Sequence, residues 1–176
     1  MTGCAAVRFT LDTTYAAEAA SVAAAYADPG LYTAFGDLPR AGNPEVVAHQ
    51  VSGDLVRLDV RWRFTADLSP AARAVIDPDR LTWVERATHD VPHGTVTFEM
   101  VADHYRDRFS CKGGYRFAPA GPDRTTRQSH GDLRIKALLV AGAVEGAIVD
   151  GLKEQLRAEV PIVERYVLAH GGEIKA

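Results

Sequence analysis

Glu85 has the most suggestive surroundings of any ionisable side chain in the sequence. In the stretch Leu81-Thr82-Trp83-Val84-Glu85-Arg86-Ala87, a two-residue period places Leu81, Trp83, Glu85 and Ala87 on one strand face. A carboxylate that shares a face with an indole must pair, meet water, or hold its proton more tightly than usual. Such a group can anchor a ligand hydroxyl or move a proton. The plainer reading is a salt bridge to an inward arginine or a place at the wet mouth of the sheet. The same alternation sends Glu99 outward, because Val96, Phe98 and Met100 occupy the other parity.

The remaining reactive residue types form weaker patterns. Cys111 shares its parity with Phe109 and Tyr115 and reads as a small buried hydrophobe. Cys4 and Cys111 make no C-x-x-C pair and no disulfide framework, which points to reduced thiols and a cytoplasmic location. The six histidines are scattered. His89 and His93 flank the Pro92 turn without an evident third ligand, so no metal is expected. Arg57, Arg61 and Arg63 share a wet strand face interrupted by Asp59. The sequence contains no phosphate-binding P-loop, no dinucleotide glycine fingerprint, no nucleophile elbow and no zinc-protease helix, and no cofactor is expected. Twenty basic against 23 acidic residues give a net charge of -3, which disfavours a dedicated nucleic-acid binder. No apolar run is long enough for membrane insertion, and the opening Met1 to Ala6 lacks the build of a signal peptide.

The elements that must position these residues follow from periodicity. Val7, Phe9 and Leu11 alternate in a first strand, Val7 to Thr13. An alanine-rich helix from Ala17 to Ala27 follows, anchored by Val22 and Tyr26. Asp28-Pro29 stops it and caps a brief second helix, Gly30 to Phe35. A strand from Glu45 to Val51 turns at Ser52-Gly53-Asp54. It leads into the clearest alternation of the chain, with Val56, Leu58, Val60, Trp62 and Phe64 on one face. A short helix or ordered loop spans Ser69 to Ile76. Further strands fit Leu81 to Thr88, Thr95 to Ala102, Arg108 to Phe117 and Thr125 to Ile135. Pro119-Ala120-Gly121-Pro122 separates the last two, and Gly113-Gly114 marks a bulge or close backbone approach.

From Ala141 to Ala169 the period changes to that of a helix. Val144, Ile148, Leu152, Leu156, Val160, Val163 and Val167 form its apolar stripe, and Pro161 should kink or break it. At 1.5 Å per residue this helix reaches about 43 Å, enough to cross a domain of this size. A curved antiparallel sheet wrapped around the long C-terminal helix buries both apolar surfaces within one α+β domain spanning residues 1–176. One helix fills a strongly curved sheet incompletely, so an internal cavity is expected.

This order of elements resembles the START-like helix-grip superfamily, also called SRPBCC, which includes polyketide cyclases and lipid carriers. More narrowly, the chain resembles an actinobacterial family known only as a domain of unknown function. The residues that carry the likeness are Tyr15 with Val22 and Tyr26, the run Asp28-Pro29-Gly30-Leu31-Tyr32, and the strand Leu81 to Glu85. Gly142, Glu145, Leu152, Leu156, Glu159 and Tyr166 complete it. The resemblance implies a sheet gripping the last helix with a cavity between them. It supplies no shared catalytic motif, so no catalytic residue is carried over.

The functional expectation is therefore a binding or carrier domain for an apolar or amphipathic small molecule. Trp62, Phe64, Trp83, Glu85, Phe109 and Tyr115 would form the sheet wall, and Leu152, Leu156 and Val160 the helical wall. Tyr32 and Phe35 would gate the cavity. Two alternatives remain: a cofactor-independent cyclase, dehydratase or hydrolase using Glu85, and an interaction module without a small ligand. Either a monomer or a homodimer is compatible with the sequence.

Overall fold

The computed structural model describes residues 5–74, 76–136 and 141–171. Seven strands form a single antiparallel sheet: β1 (Ala5–Tyr15), β2 (Ala41–Ser52), β3 (Leu55–Phe64), β4 (Thr82–Asp90), β5 (Thr95–Ala102), β6 (Phe109–Gly121) and β7 (Arg124–Ile135). Their spatial order is β1-β7-β6-β5-β4-β3-β2. The first strand pairs with the last, and β2 takes the opposite edge. The chain crosses between those edges through α1 (Ala19–Ala27) and α2 (Pro29–Phe35). A single turn, α3 (Pro70–Arg73), precedes β4, and α4 (Ala141–His170) lies along the concave face. This is the expected helix-grip architecture. Cys4 and the side chains of Val144 and Ile148 lie outside the described residues.

Local chemistry explains the joints. Alanines at positions 23, 25 and 27 are buried, so the α1 backbone can approach β6, β7 and α4 closely. Asp28 accepts the Gly30 N–H at 2.9 Å and the Tyr166 O–H at 2.8 Å, so one carboxylate caps α2 and fastens it to α4. Gln155 of α4 accepts the Arg40 and Ala41 N–H groups and donates to the Ala41 carbonyl at 3.0 Å, fixing the start of β2.

The largest departures from the expected elements are three. β2 begins at Ala41, ahead of Glu45, because a bulge between Gly42 and Glu45 absorbs Asn43 and Pro44, with Asn43 at φ 49°. β6 continues through Pro119 to Gly121 by a second irregularity, which leaves Pro122-Asp123 as the turn. Pro161 sits inside α4 without ending it. Its side chain is exposed, so the carbonyl that loses its N–H partner can meet water, while Val163, Tyr166 and Val167 hold the following turns in the core.

The register fixes which side chains face inward. Val56, Leu58, Val60 and Trp62 are buried and stand opposite His89, Ala87, Glu85 and Trp83. These in turn oppose Val96, Phe98, Met100 and Ala102 on β5. Glu99 points outward opposite Arg86, as expected. Gly113 and Gly131 face one another on the inner side of β6 and β7. A methyl group on Gly113 would run into the backbone of His130 and Gly131, so the expected close approach is real. The core divides into a larger group beneath α1 and α2 and a smaller one around Phe9, Leu11, Cys111, Leu133 and Leu156.

Candidate functional site

The concave side of the sheet carries more polar chemistry than the sequence suggested. On β7 the inward positions are Thr125, Arg127, Ser129, Gly131 and Leu133. Arg127 meets Glu159 of α4 at 3.4 Å, and both are less than a tenth exposed. Tyr26 stands between the elements: it donates to Glu159 at 2.9 Å and accepts from Arg127 at 3.2 Å. With its proton committed, Tyr26 accepts from Tyr15 at 3.0 Å. The guanidinium of Arg127 also lies 3.8 Å from the centre of the Tyr115 ring, a cation–π contact in a desolvated setting. Burial lifts the Glu159 carboxyl above its ordinary range, against the lowering pull of Arg127.

A second inner group lies toward β3 and β4 and is not internally satisfied. The indole N–H groups of Trp62 and Trp83 and both ring nitrogens of His89 are buried without a hydrogen-bond partner among the described residues, as are Nε of Arg127 and Oγ of Ser129 on β7. An orphaned buried polar atom costs roughly 1–3 kcal/mol. Glu85 shares this inner face of β4 with Trp83 and His89. Burial pushes its carboxyl up to about 7, moderated by the nearby charge of Arg127. The Trp62 N–H adds a smaller lowering influence, yet stops short of hydrogen-bonding geometry. Burial and the charge of Arg127 together lower His89 to about 4, so its ring is neutral at physiological pH.

Trp83, Glu85, Phe98, Met100, Phe109 and Leu152 face the inside but remain only partly buried. Part of this wall is therefore open to solvent among the described residues. Two depressions of about 400 and 260 Å³ lie elsewhere, on the outside of β5–β7 and at the β5–β6 connection. Neither gathers the inner polar atoms around Glu85.

The structure brings Trp62, Trp83, Glu85 and Tyr115 to the same concave wall, with Leu156 and the partly buried Leu152 and Val160 on the facing helix. Phe109 lies on the same face at the far end of β6, and Phe64 ends β3 opposite Ala41, half-buried and away from Glu85. Tyr32 and Phe35, the expected gate residues, are 5% and 3% exposed and pack edge-on and tilted against Trp62. His89 is buried while His93 is exposed in the turn and bonded to Asp90 at 2.8 Å, so the two do not converge. The Cys111 thiol is buried and pushed up to about 12. No described helix is long and apolar enough to cross a membrane.

Arg127, Gln155 and the inward Ser129 went unrecognised in the sequence, and Glu159 entered only through the family resemblance. The available signal was the spacing of Gln155 and Glu159, four residues apart and interleaved with the apolar stripe of α4. On β7 the matching parity of Thr125, Arg127 and Ser129 with Leu133 was the comparable clue.

A single curved antiparallel sheet closed on a long C-terminal helix is the helix-grip fold. Within that class, the chain belongs to the family described as "Protein of unknown function (DUF2505)", whose model matches residues 10–167. No curated protein matches its sequence significantly. Among solved structures it is similar to TTHA0849 from Thermus thermophilus, with 17% identity, TM-score 0.67, and coverage of 94% of this chain and 100% of that one. It is also similar to the Zhui aromatase/cyclase from Streptomyces sp. R1128, at 20% identity and TM-score 0.67, covering 96% and 99%. Norcoclaurine synthase from Thalictrum flavum is a third, at 18% identity and TM-score 0.54, covering 95% and 89%. At these identities the likeness is one of fold.

Proposed function

We propose that this chain binds a small amphipathic molecule between the concave sheet and α4. One observation carries the reading: the inner wall that stays only partly buried, at Trp83, Glu85 and Phe98, also holds the orphaned polar atoms of Trp62, Trp83 and His89. A purely apolar guest would leave those atoms unpaired at full cost. A guest with an apolar body and a few polar groups would satisfy them. Native mass spectrometry followed by denaturing extraction tests this, and a retained small molecule is the expected result. Protein that carries nothing and takes up no amphipathic probe would remove the reading.

A second reading rests on Glu85 itself. A carboxyl near 7 on the inner wall is suited to giving and taking a proton at neutral pH, which would serve a cofactor-independent cyclase, dehydratase or hydrolase. Two structural relatives are named as an aromatase/cyclase and a synthase, which supports the fold's compatibility with catalysis. With a substrate in hand, Glu85→Gln should suppress turnover while binding persists. Unchanged turnover would exclude Glu85 from the mechanism.

A further inference from the structure

The charges lining the interior do not balance. Among the described residues, Arg127 and Glu159 pair across the sheet–helix interface, and Tyr26 and Tyr15 complete their hydrogen bonds. Glu85 is left over. It faces inward on β4, is approached by the Trp62 N–H, has no ion pair among the described residues, and keeps part of its surface accessible. The charged and titratable groups coupled to it lie on four elements: Arg127 on β7, Glu159 on α4, Tyr32 on α2, and Cys111 and Tyr115 on β6. Two carboxyl groups thus share one guanidinium, and that guanidinium is already engaged.

The walls beside Glu85 suit a cation. Trp83 is two residues along the same strand face, and Trp62 stands directly opposite Trp83 on β3. Tyr32 and Phe35 back Trp62, with ring centres 6.2 and 6.0 Å from the indole. Aromatic faces attract ammonium groups, most strongly where water is excluded, and an adjacent carboxylate supplies the counter-charge.

We propose that the interior site takes a protonated primary or secondary amine on an aromatic or similarly apolar frame, with its ammonium group held by Glu85. This rests on the binding function proposed above and names the chemical class of its ligand. The ammonium supplies the charge missing from the interior and donates to the carboxylate. The unpaired indole N–H groups of Trp62 and Trp83 accommodate any oxygen carried by the same frame. A neutral Glu85 that donates its own proton to a ligand carbonyl is the competing arrangement, and it selects the opposite ligands.

The test compares three probes of one shape: phenethylamine, 2-phenylethanol and 3-phenylpropionate. Trp62 and Trp83 are the only tryptophans in the chain, so intrinsic fluorescence reads the site directly. At pH 7.5 the amine should bind at least tenfold more tightly than the alcohol, and the carboxylate most weakly. Glu85→Gln should lower amine affinity about tenfold or more and change alcohol affinity less than twofold, while Glu99→Gln on the outer face changes neither. Amine affinity should rise about tenfold between pH 6 and pH 8 as Glu85 ionises, because an alkylammonium stays protonated throughout. If the alcohol or the carboxylate binds as well as the amine, or Glu85→Gln leaves the order unchanged, the amine assignment falls and the binding function stands. If none of the three binds, and an amphipathic fluorophore also fails, both fall.

Discussion

Arg127 of β7 and Glu159 of α4 form a 3.4 Å ion pair in which each side chain is 9% exposed, so the sheet and its gripping helix are joined by charge at the centre of the fold. Removing one partner strands the other in a dry setting, which typically costs 3–5 kcal/mol. Glu159→Gln should therefore lower unfolding free energy by about 3 kcal/mol in a urea titration. The double variant Arg127→Met, Glu159→Leu should recover much of that loss. A double variant no better than the worse single one would show that the pair is not the source of the effect.

Glu85 should make stability fall as pH rises. Its folded-state value, about 7, stands above the ordinary 4.5, so the folded chain holds this proton more tightly than the unfolded chain. The stabilisation is complete below about pH 4.5 and is lost progressively up to about pH 7. The full shift is worth up to about 3 kcal/mol, and less in proportion as the carboxyl meets solvent. Glu85→Gln should match the parent at pH 4.5 and exceed it by about 2 kcal/mol at pH 8. Equal stability of the two proteins at pH 8 would show that the carboxyl is well solvated.

His89 works in the opposite direction. Its ring is lowered from 6.5 to about 4, so the folded chain resists protonation that the unfolded chain accepts. The stabilisation is present above about pH 6.5 and disappears as pH falls through about 4, by roughly 3 kcal/mol. His89→Phe should flatten the acid side of the stability profile over that window. NMR titration of the His89 ring should show no protonation at pH 6, and an ordinary midpoint near 6.5 would contradict the burial argument.

The strands with apolar inner faces were legible in the sequence because hydrophobicity and direction coincide there. Val56, Leu58, Val60 and Trp62 alternate with arginines and an aspartate, and Glu85 could be placed from its parity with Trp83. β7 defeats the same reasoning. Its inward residues are Thr125, Arg127 and Ser129, polar side chains that periodicity assigns to solvent; Arg127 is held inside by Glu159, Tyr26 and Tyr115, Thr125 by the Ala17 carbonyl, and Ser129 Oγ has no partner among the described residues. The α4 stripe was read correctly at Leu156, Val163 and Val167, but Gln155 and Glu159 on the same stripe find their partners on β2, α1 and β7, more than 30 residues away in sequence. The packing of Tyr32 and Phe35 was illegible for a related reason: the crossing of α2 beneath the sheet, which no local pattern encodes, lays them against Trp62.

Cys111 reports on whether the interior stays closed. The thiolate is the reactive form, and burial, reinforced by the charges of Glu85 and Asp132, pushes the thiol up to about 12. At pH 8 fewer than about one in a thousand folded molecules would carry the thiolate by that value, and the side chain is only 5% exposed. In a Cys4→Ser background, Cys111 should resist a disulfide reagent at pH 8 and react fully once urea unfolds the chain. Because Cys111 stands opposite Met100 and Leu133 on the inner face, an interior ligand should slow any residual reaction further. Rapid labelling of the folded protein, insensitive to ligand, would mean that the helix and sheet part often enough to admit the reagent.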